Sequence, residues 1–294
     1  MLSMNNIRNR TDRWFDALNA VLLAGVGLIC LLPFLHVLAK ALSDQASVMG
    51  NRVTFYPIGV HGEAFRFVFE HTRFFEALKV TALVTAIGTA LSMTITVLAA
   101  YPLSKPEFKG RKAILMLYVF SMLFYGGIIP GYLLMKGLGL LDTLWAMIVP
   151  LLVVPFNLFV CKTFFEGIPE SIEESAKIDG ASNFRILLRI VLPISLPVLA
   201  TLGIFYAVGY WNNYFHPLIY VNSIDLKPLQ LFLYDTIANT EELLQEQPDS
   251  VRLSMAPEGF RAATVISSIV PILLVYPFLQ RYFVTGMTLG SVKG

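Results

Sequence analysis

Six stretches of this chain hold no Asp, Glu, Lys or Arg, and each is at least 19 residues long: 17–39, 80–104, 113–135, 143–161, 190–224 and 262–280. A helix needs about 20 apolar residues to cross the hydrocarbon core of a bilayer. A charge at mid-membrane costs roughly 2.5–3.5 kcal/mol on insertion scales, so windows of this length exclude the ordinary soluble folds. The chain is 56% hydrophobic and 14% charged, where a soluble domain carries about a quarter charged residues. The expectation is an all-α integral membrane protein with six transmembrane helices.

Cations flank several windows: Lys79 and Lys105, Lys112 and Lys136, Arg261 and Arg281. Their stems can lie along a helix while the charge reaches the headgroups. The fifth window is too long for one span, so Asn212 to Ile224 is expected to leave the membrane. Six spans place the N-terminus, 105–112, 162–189 and the C-terminus on one side, with 13 of the 22 Lys and Arg. The bias of short loops puts that side, and both termini, in the cytoplasm. The opposite side holds 12 of the 20 carboxylates.

The expected plan is a basic tail over 1–13, a six-helix membrane domain over 14–285 with its core from about 74, and a tail over 286–294. A cytoplasmic loop covers 166–190, and an outer loop covers 225–260. Arg8, Arg10 and Arg13 precede an apolar run too long for a signal peptide, which reads as a retained first span. Residues 63–79 place Ala64, Val68, Phe75 and Leu78 on one helical face, for lying at the interface or for packing on neighbouring spans. Gly126-Gly127-Ile128-Ile129-Pro130-Gly131 is expected to kink or break the third span. It marks either the lining of a passage or a close glycine contact between helices. Leu229 to Gln247 is expected to be helical, and the sixth span to end at Gln280.

Catalytic signatures are missing. His36, His61, His71 and His216 have no zincin spacing, and no Gly-Lys-Ser/Thr occurs, so there is no P-loop. Cys30 and Cys161 supply neither a disulfide framework nor metal spacing. No ionisable residue sits mid-span, which argues against an intramembrane proton relay. The chain is not expected to be an enzyme or to carry a cofactor, and no nucleic acid is expected as a partner. Any transport that consumes energy must draw it from another subunit.

The loop between the fourth and fifth windows fits that need. Ser171 is expected as an N-cap with Glu174 three residues on, and Asp179-Gly180 as the helix end. Ser182 then starts a second helix with Phe184, Leu187, Leu188 and Val191 on its apolar side and Arg185 and Arg189 opposite. The product is a helix–turn–helix elbow ahead of Pro193 and Pro197. Glu174 serves either as a cap or as a docking group.

Glu174-Ser175-Ala176, then Gly180, then Ile190-Val191-Leu192-Pro193 resembles the EAA loop of ABC-type import permeases, with Ser175 where the family has alanine. The resemblance covers most of the chain from about Phe74. It implies a type I ABC importer permease fold. Glu174, Ser175, Ala176, Asp179 and Gly180 would then form a coupling helix seated on an ATP-binding subunit. Tyr210-Trp211-Asn212 resembles the Trp-Asn signature of maltose-type carbohydrate permeases. The ending Gly286 to Gly294 resembles a tail that reaches the ATPases through Val292, Lys293 and Gly294. Pro257-Glu258-Gly259-Phe260-Arg261 and Tyr276-Pro277-Phe278-Leu279-Gln280 resemble a branch that handles oligosaccharides from complex polysaccharides, alginate among them.

The implied partners are a second, homologous permease subunit, two ATP-binding cassette subunits, an extracytoplasmic sugar-binding protein, the oligosaccharide and membrane lipid. The implied location is the bacterial inner membrane. Tyr125, Asn157, Tyr206, Tyr210, Trp211, Asn212 and Asn213, with Tyr132 and Tyr214, are candidates for a sugar path. An interfacial aromatic belt explains Tyr210 to Tyr220 equally well. The alternatives are an import permease for a non-sugar solute and a membrane-embedded enzyme.

Overall fold

A computed structural model describes residues 10–124, 126–245 and 255–291. Among them every regular element is a helix. Three helices are long and apolar enough to cross a membrane unbroken: α1 (Arg10–Ala41), α4 (Phe74–Ser104) and α16 (Pro257–Ser291). Three bent pairs carry the other windows, which gives up to six crossings.

Each bend has a local cause. α5 (Arg111–Leu123) and α6 (Ile128–Gly137) meet at 119°. Gly127 there has φ +91°, which an L side chain resists, and Pro130 fits only the first turn of the new helix. The glycine-proline break expected in this window is therefore present. The fourth window breaks as well, and its sequence reading held no break there. α7 (Trp145–Ile148) runs into a 3₁₀ turn, Val149–Leu151, and α8 (Pro155–Glu166) restarts at a 50° angle with Pro155 in its first turn.

The fifth window bends by 84° at Ser195. α10 (Asn183–Ile186), a wide-turn stretch Leu187–Val191 and α11 (Leu192–Ile194) precede it, and α12 (Leu196–Trp211) follows. Pro197 has no N–H to give to the carbonyl of Pro193, so the ladder opens there. α12 ends at Trp211, and a separate short α13 (Phe215–Tyr220) follows, as the length of that window required.

The chain forms two compact units. One draws on residues up to Thr72 and on Thr236–Ile269. In it α2 (Gln45–Met49) is capped by Asp44, and Ala39, Val48, Val53 and Ala256 share a small core. Lys40 pairs with Glu258 at 2.9 Å, and Phe67 of α3 (Glu63–His71) meets Phe260 edge-on at 5.1 Å. Among the described residues, nothing covers the apolar window of α1.

The other unit draws on Arg73–Asp235 and on residues from Val270. α4 is its spine, with α12 and α8 packed along it. One core joins Val80 and Val84 to Met147, Ile148, Tyr206 and Tyr210. A second joins Val97, Ala100 and Tyr101 to Cys161, Phe165 and the elbow. Asp142, at φ +56°, accepts from the backbone N–H of Asn222 (3.0 Å) and Ser223 (2.8 Å) and from the Ser223 hydroxyl. This clamp ties the turn before α7 to the loop after α13.

Several local expectations need correction. Residues 63–79 are not one helix: the chain breaks at Thr72–Arg73, and Phe74 is buried while Phe75 is exposed. The stretch 229–247 breaks at Asn239 into α14 (Leu229–Ala238) and α15 (Thr240–Gln245). The helix that carries the sixth window runs on past Gln280 to Ser291. Ser171 is not the N-cap: Pro169 takes that place, its ring fixing φ at −57° while ψ is 129°, so α9 (Glu170–Ile178) starts one residue before Ser171.

Candidate functional site

The elbow is built by three short-range devices. Pro169 stops the chain after Gly167 from extending α8 and opens α9. Gly180, at φ +78°, closes α9: its N–H donates to the carbonyl of Lys177 (3.0 Å), and that of Ala181 donates to Ala176 (2.9 Å). These two bonds are the Schellman pattern, which glycine adopts without a Cβ penalty. Ser182 then caps α10, its side chain accepting from the N–H of Arg185 at 3.4 Å. The glycine end and the serine start are as the sequence indicated.

The two faces of the elbow differ sharply. Inward, Ala176, Ile186, Leu187 and Val191 are buried in one cluster with Val97, Ala100, Tyr101, Cys161, Phe165 and Leu202. Outward, Glu174, Ser175, Asp179 and Gly180 are exposed. Ile178 is 86% exposed and Phe184 61% exposed. A free isoleucine and phenylalanine beside polar groups form a surface suited to a protein partner. Phe184 and Leu188 were expected on the inner side of the second helix. Both are exposed, while Ile186 is buried beside the expected Leu187 and Val191.

Of the five coupling positions expected from sequence, the structure exposes four together and buries Ala176. The Ser175 hydroxyl bonds its own helix at the carbonyl of Ser171 (2.8 Å). Sequence reasoning missed Glu173. Its side chain is 6% exposed, pairs with Lys105 and takes a 3.5 Å bond from the Tyr101 hydroxyl. Helical spacing was the available signal: with Ala176 facing in, the residue three earlier shares its face.

The aromatic and amide residues expected along a sugar path do not share one setting. Tyr206 and Tyr210 are buried and bonded between helices. The Tyr210 hydroxyl donates to the carbonyl of Ile148 (3.1 Å) and lies 2.9 Å from Ser92 Oγ. The Tyr206 hydroxyl lies 2.7 Å from Thr96 Oγ1 and accepts from the N–H of Val154. Asn157 is buried in α8. Trp211 and Asn213 are half-buried, Asn212 and Tyr214 are exposed, and the Asn213 side chain accepts from the N–H of His216. Tyr132 stacks on Tyr220 with ring centres 6.3 Å apart. Tyr125, Val292, Lys293 and Gly294 lie outside the described residues. Among the described residues no group of His, Cys, Asp and Glu is placed to hold a metal.

Comparison with known proteins agrees with this architecture. The chain is 42% identical, over its whole length and the whole of the relative, to Protein LplC of Bacillus subtilis (strain 168). It is 41% identical to the polygalacturonan/rhamnogalacturonan transport system permease protein YtcP of the same organism, covering 96% of this chain and 99% of the relative. Among solved structures, a chain from a bacterial ABC transporter involved in import of the acidic polysaccharide alginate superposes with TM-score 0.85. It is 32% identical and covers 94% of this chain and 98% of that one. Residues 4–289 match the family described as binding-protein-dependent transport system inner membrane component, and the chain belongs to that family.

Proposed function

We propose that this chain is one of two membrane-spanning subunits of an ATP-driven importer of oligosaccharides, with a second homologous permease, two ATP-binding subunits and an extracytoplasmic sugar-binding protein. It forms half of the passage and performs no chemistry. It crosses the bacterial inner membrane six times with both termini in the cytoplasm. Residues 166–190 face the ATPases there, residues 225–260 meet the binding protein, and the tail from 286 approaches the ATPases.

One observation carries the reading: the elbow is free on one face and rooted in the bundle on the other. The free face offers Glu174 and Asp179 for charged contacts and Ile178 and Phe184 for apolar ones. Burying each of those two apolar side chains against a partner is worth about 1.5–3 kcal/mol. The rooted face is close-packed, and packed interiors transmit displacement rather than absorb it. ATP-driven closure of the paired ATPases then moves the elbow and switches the passage between its two openings. The substrate class is an oligosaccharide, and an acidic one is favoured. Support comes from the relative named for polygalacturonan and rhamnogalacturonan and from the alginate importer.

The assembled complex in proteoliposomes tests this, with radiolabelled oligogalacturonides, alginate oligosaccharides and malto-oligosaccharides offered in parallel. Uptake of an acidic oligosaccharide that requires ATP is expected. Replacing Glu174 by Ala or Gly180 by Val should raise the ATP hydrolysed per molecule imported while the chain still assembles. An unchanged ratio in both variants defeats the coupling role of the elbow, and uptake of none of the three sugars defeats the substrate class.

A further inference from the structure

Among the described residues, no acidic side chain other than that of Glu173 is buried. It sits on α9, one helical turn before Ala176, and faces the end of α4. Lys105, the residue at which α4 ends, pairs with it. The Lys105 ammonium lies 5.1 Å from the centre of the Tyr101 ring, and the Tyr101 hydroxyl reaches the same carboxylate at 3.5 Å. The three groups therefore form a closed arrangement: cation on carboxylate, hydroxyl on carboxylate, cation against ring.

Holding the elbow in place does not require this. Ala176, Ile186, Leu187 and Val191 already pack it against α4 and α8. Replacing a buried ion pair by apolar side chains of equal volume often leaves stability unchanged, so the pair has to be explained by what apolar packing lacks. Close apolar packing passes displacement on but, being non-directional, does not select its direction. A charged hydrogen bond fixes both distance and direction.

The far end of the contact is also anchored. Arg111, at the start of α5, donates from Nε to the carbonyl of Leu103 at 2.8 Å and pairs with Glu166 at the end of α8. Lys162 holds the same Glu166 at 2.7 Å. Lys105 thus projects from a braced corner. Higher up, α4 carries Ser92 and Thr96, which meet the hydroxyls of Tyr210 and Tyr206 on α12.

We propose that Lys105 and Glu173, aligned by Tyr101, are a positioning strut that makes displacement of the elbow drive α4 along a fixed direction, and with it α12. This rests on the coupling role given to the elbow above. The strut touches neither nucleotide nor sugar. It sets how much of each ATPase stroke reaches the helices.

The test uses the whole complex in proteoliposomes, with radiolabelled oligogalacturonide and ATP, and reads ATP hydrolysed per molecule imported. The double variant Lys105→Met/Glu173→Met keeps volume and removes both charges. It should assemble at normal levels and hydrolyse ATP, with the ratio raised on the order of threefold to tenfold. The exchange Lys105→Glu/Glu173→Lys should bring the ratio back toward that of the unmodified complex, a rescue that a purely structural role for either residue does not predict. A normal ratio in the double variant overturns the strut. Should that variant fail to assemble, Tyr101→Phe decides: it keeps the ring and removes the hydroxyl that aligns the carboxylate, and an unchanged ratio there overturns the proposal. Glu174→Ala and Gly180→Val run alongside. If they shift the ratio and the Lys105/Glu173 variants do not, the strut falls and the elbow stands. If none shifts it, the elbow itself was misread.

Discussion

Gly88 shows how one residue sets the approach of two helices. A Cβ built there would lie 2.6 Å from the Tyr210 ring, a distance real contacts do not reach. Gly88→Ala should therefore push α12 off α4 and cost about 1–3 kcal/mol, the usual range for overpacking. The thermal midpoint of the detergent-solubilised protein would show it. Tyr210→Phe keeps the ring but removes the bonds to Ser92 and Ile148, for a smaller loss of about 0.5–1.5 kcal/mol. A larger drop for the phenylalanine variant than for the alanine one would contradict this ranking. Gly180→Ala meets open space, so its cost is backbone strain alone, about 1–2 kcal/mol. The glycine at 180 was legible because a helix end needs it locally. The pairing of Glu173 was not, since its partner Lys105 lies 68 positions away and only the folded bundle brings them together. Tyr206 and Tyr210 were singled out as sugar contacts on chemistry alone; their hydrogen bonds to α4 are a tertiary fact that no local window contains.

The three bent pairs break where the sequence lacks a donor or holds a positive φ, at Gly127 and Pro130, at Pro155 and at Pro197. The break between α5 and α6 was readable from Gly127 and Pro130. The bends at Pro155 and Ser195 were not, because an uncharged window reports length and not straightness. The clamp from Asp142 to the 222–223 loop adds a second kind of order, between elements. Its carboxyl is held below the ordinary 3.8 chiefly by the Ser223 hydroxyl, then by the Ser223 and Asn222 N–H groups. A depressed value in the folded state contributes stability above the unfolded value, and that contribution is lost as pH falls through the folded one. The thermal advantage of the unmodified protein over Asp142→Asn should thus be flat from about pH 8 to 5 and shrink only below about pH 4. A gap that instead closes between pH 7 and 6 would assign the loss to another group.

For the whole molecule, composition was the strongest guide: the uncharged windows located every long or paired helix, although not the division into two compact units. One boundary of that division falls at Thr72–Arg73, where the expected interfacial helix proved to be two. Sidedness can be checked directly. In a Cys30→Ser background, a membrane-impermeant maleimide should label Arg52→Cys from outside intact cells. It should label Lys177→Cys only in inverted vesicles, with the fully buried Cys161 silent in both. Labelling of both positions from one side would undo the six-crossing topology. The two-faced elbow, finally, makes a statement about tolerated sequence. Along 170–191, the inward positions should reject almost any change of volume, so variants there vanish from the cell. The outward ones should accept most residues without harm to expression yet starve the cell of its carbon source. A library scored once for abundance and once for growth would then split this short segment into two interleaved sets, spaced by the pitch of a helix.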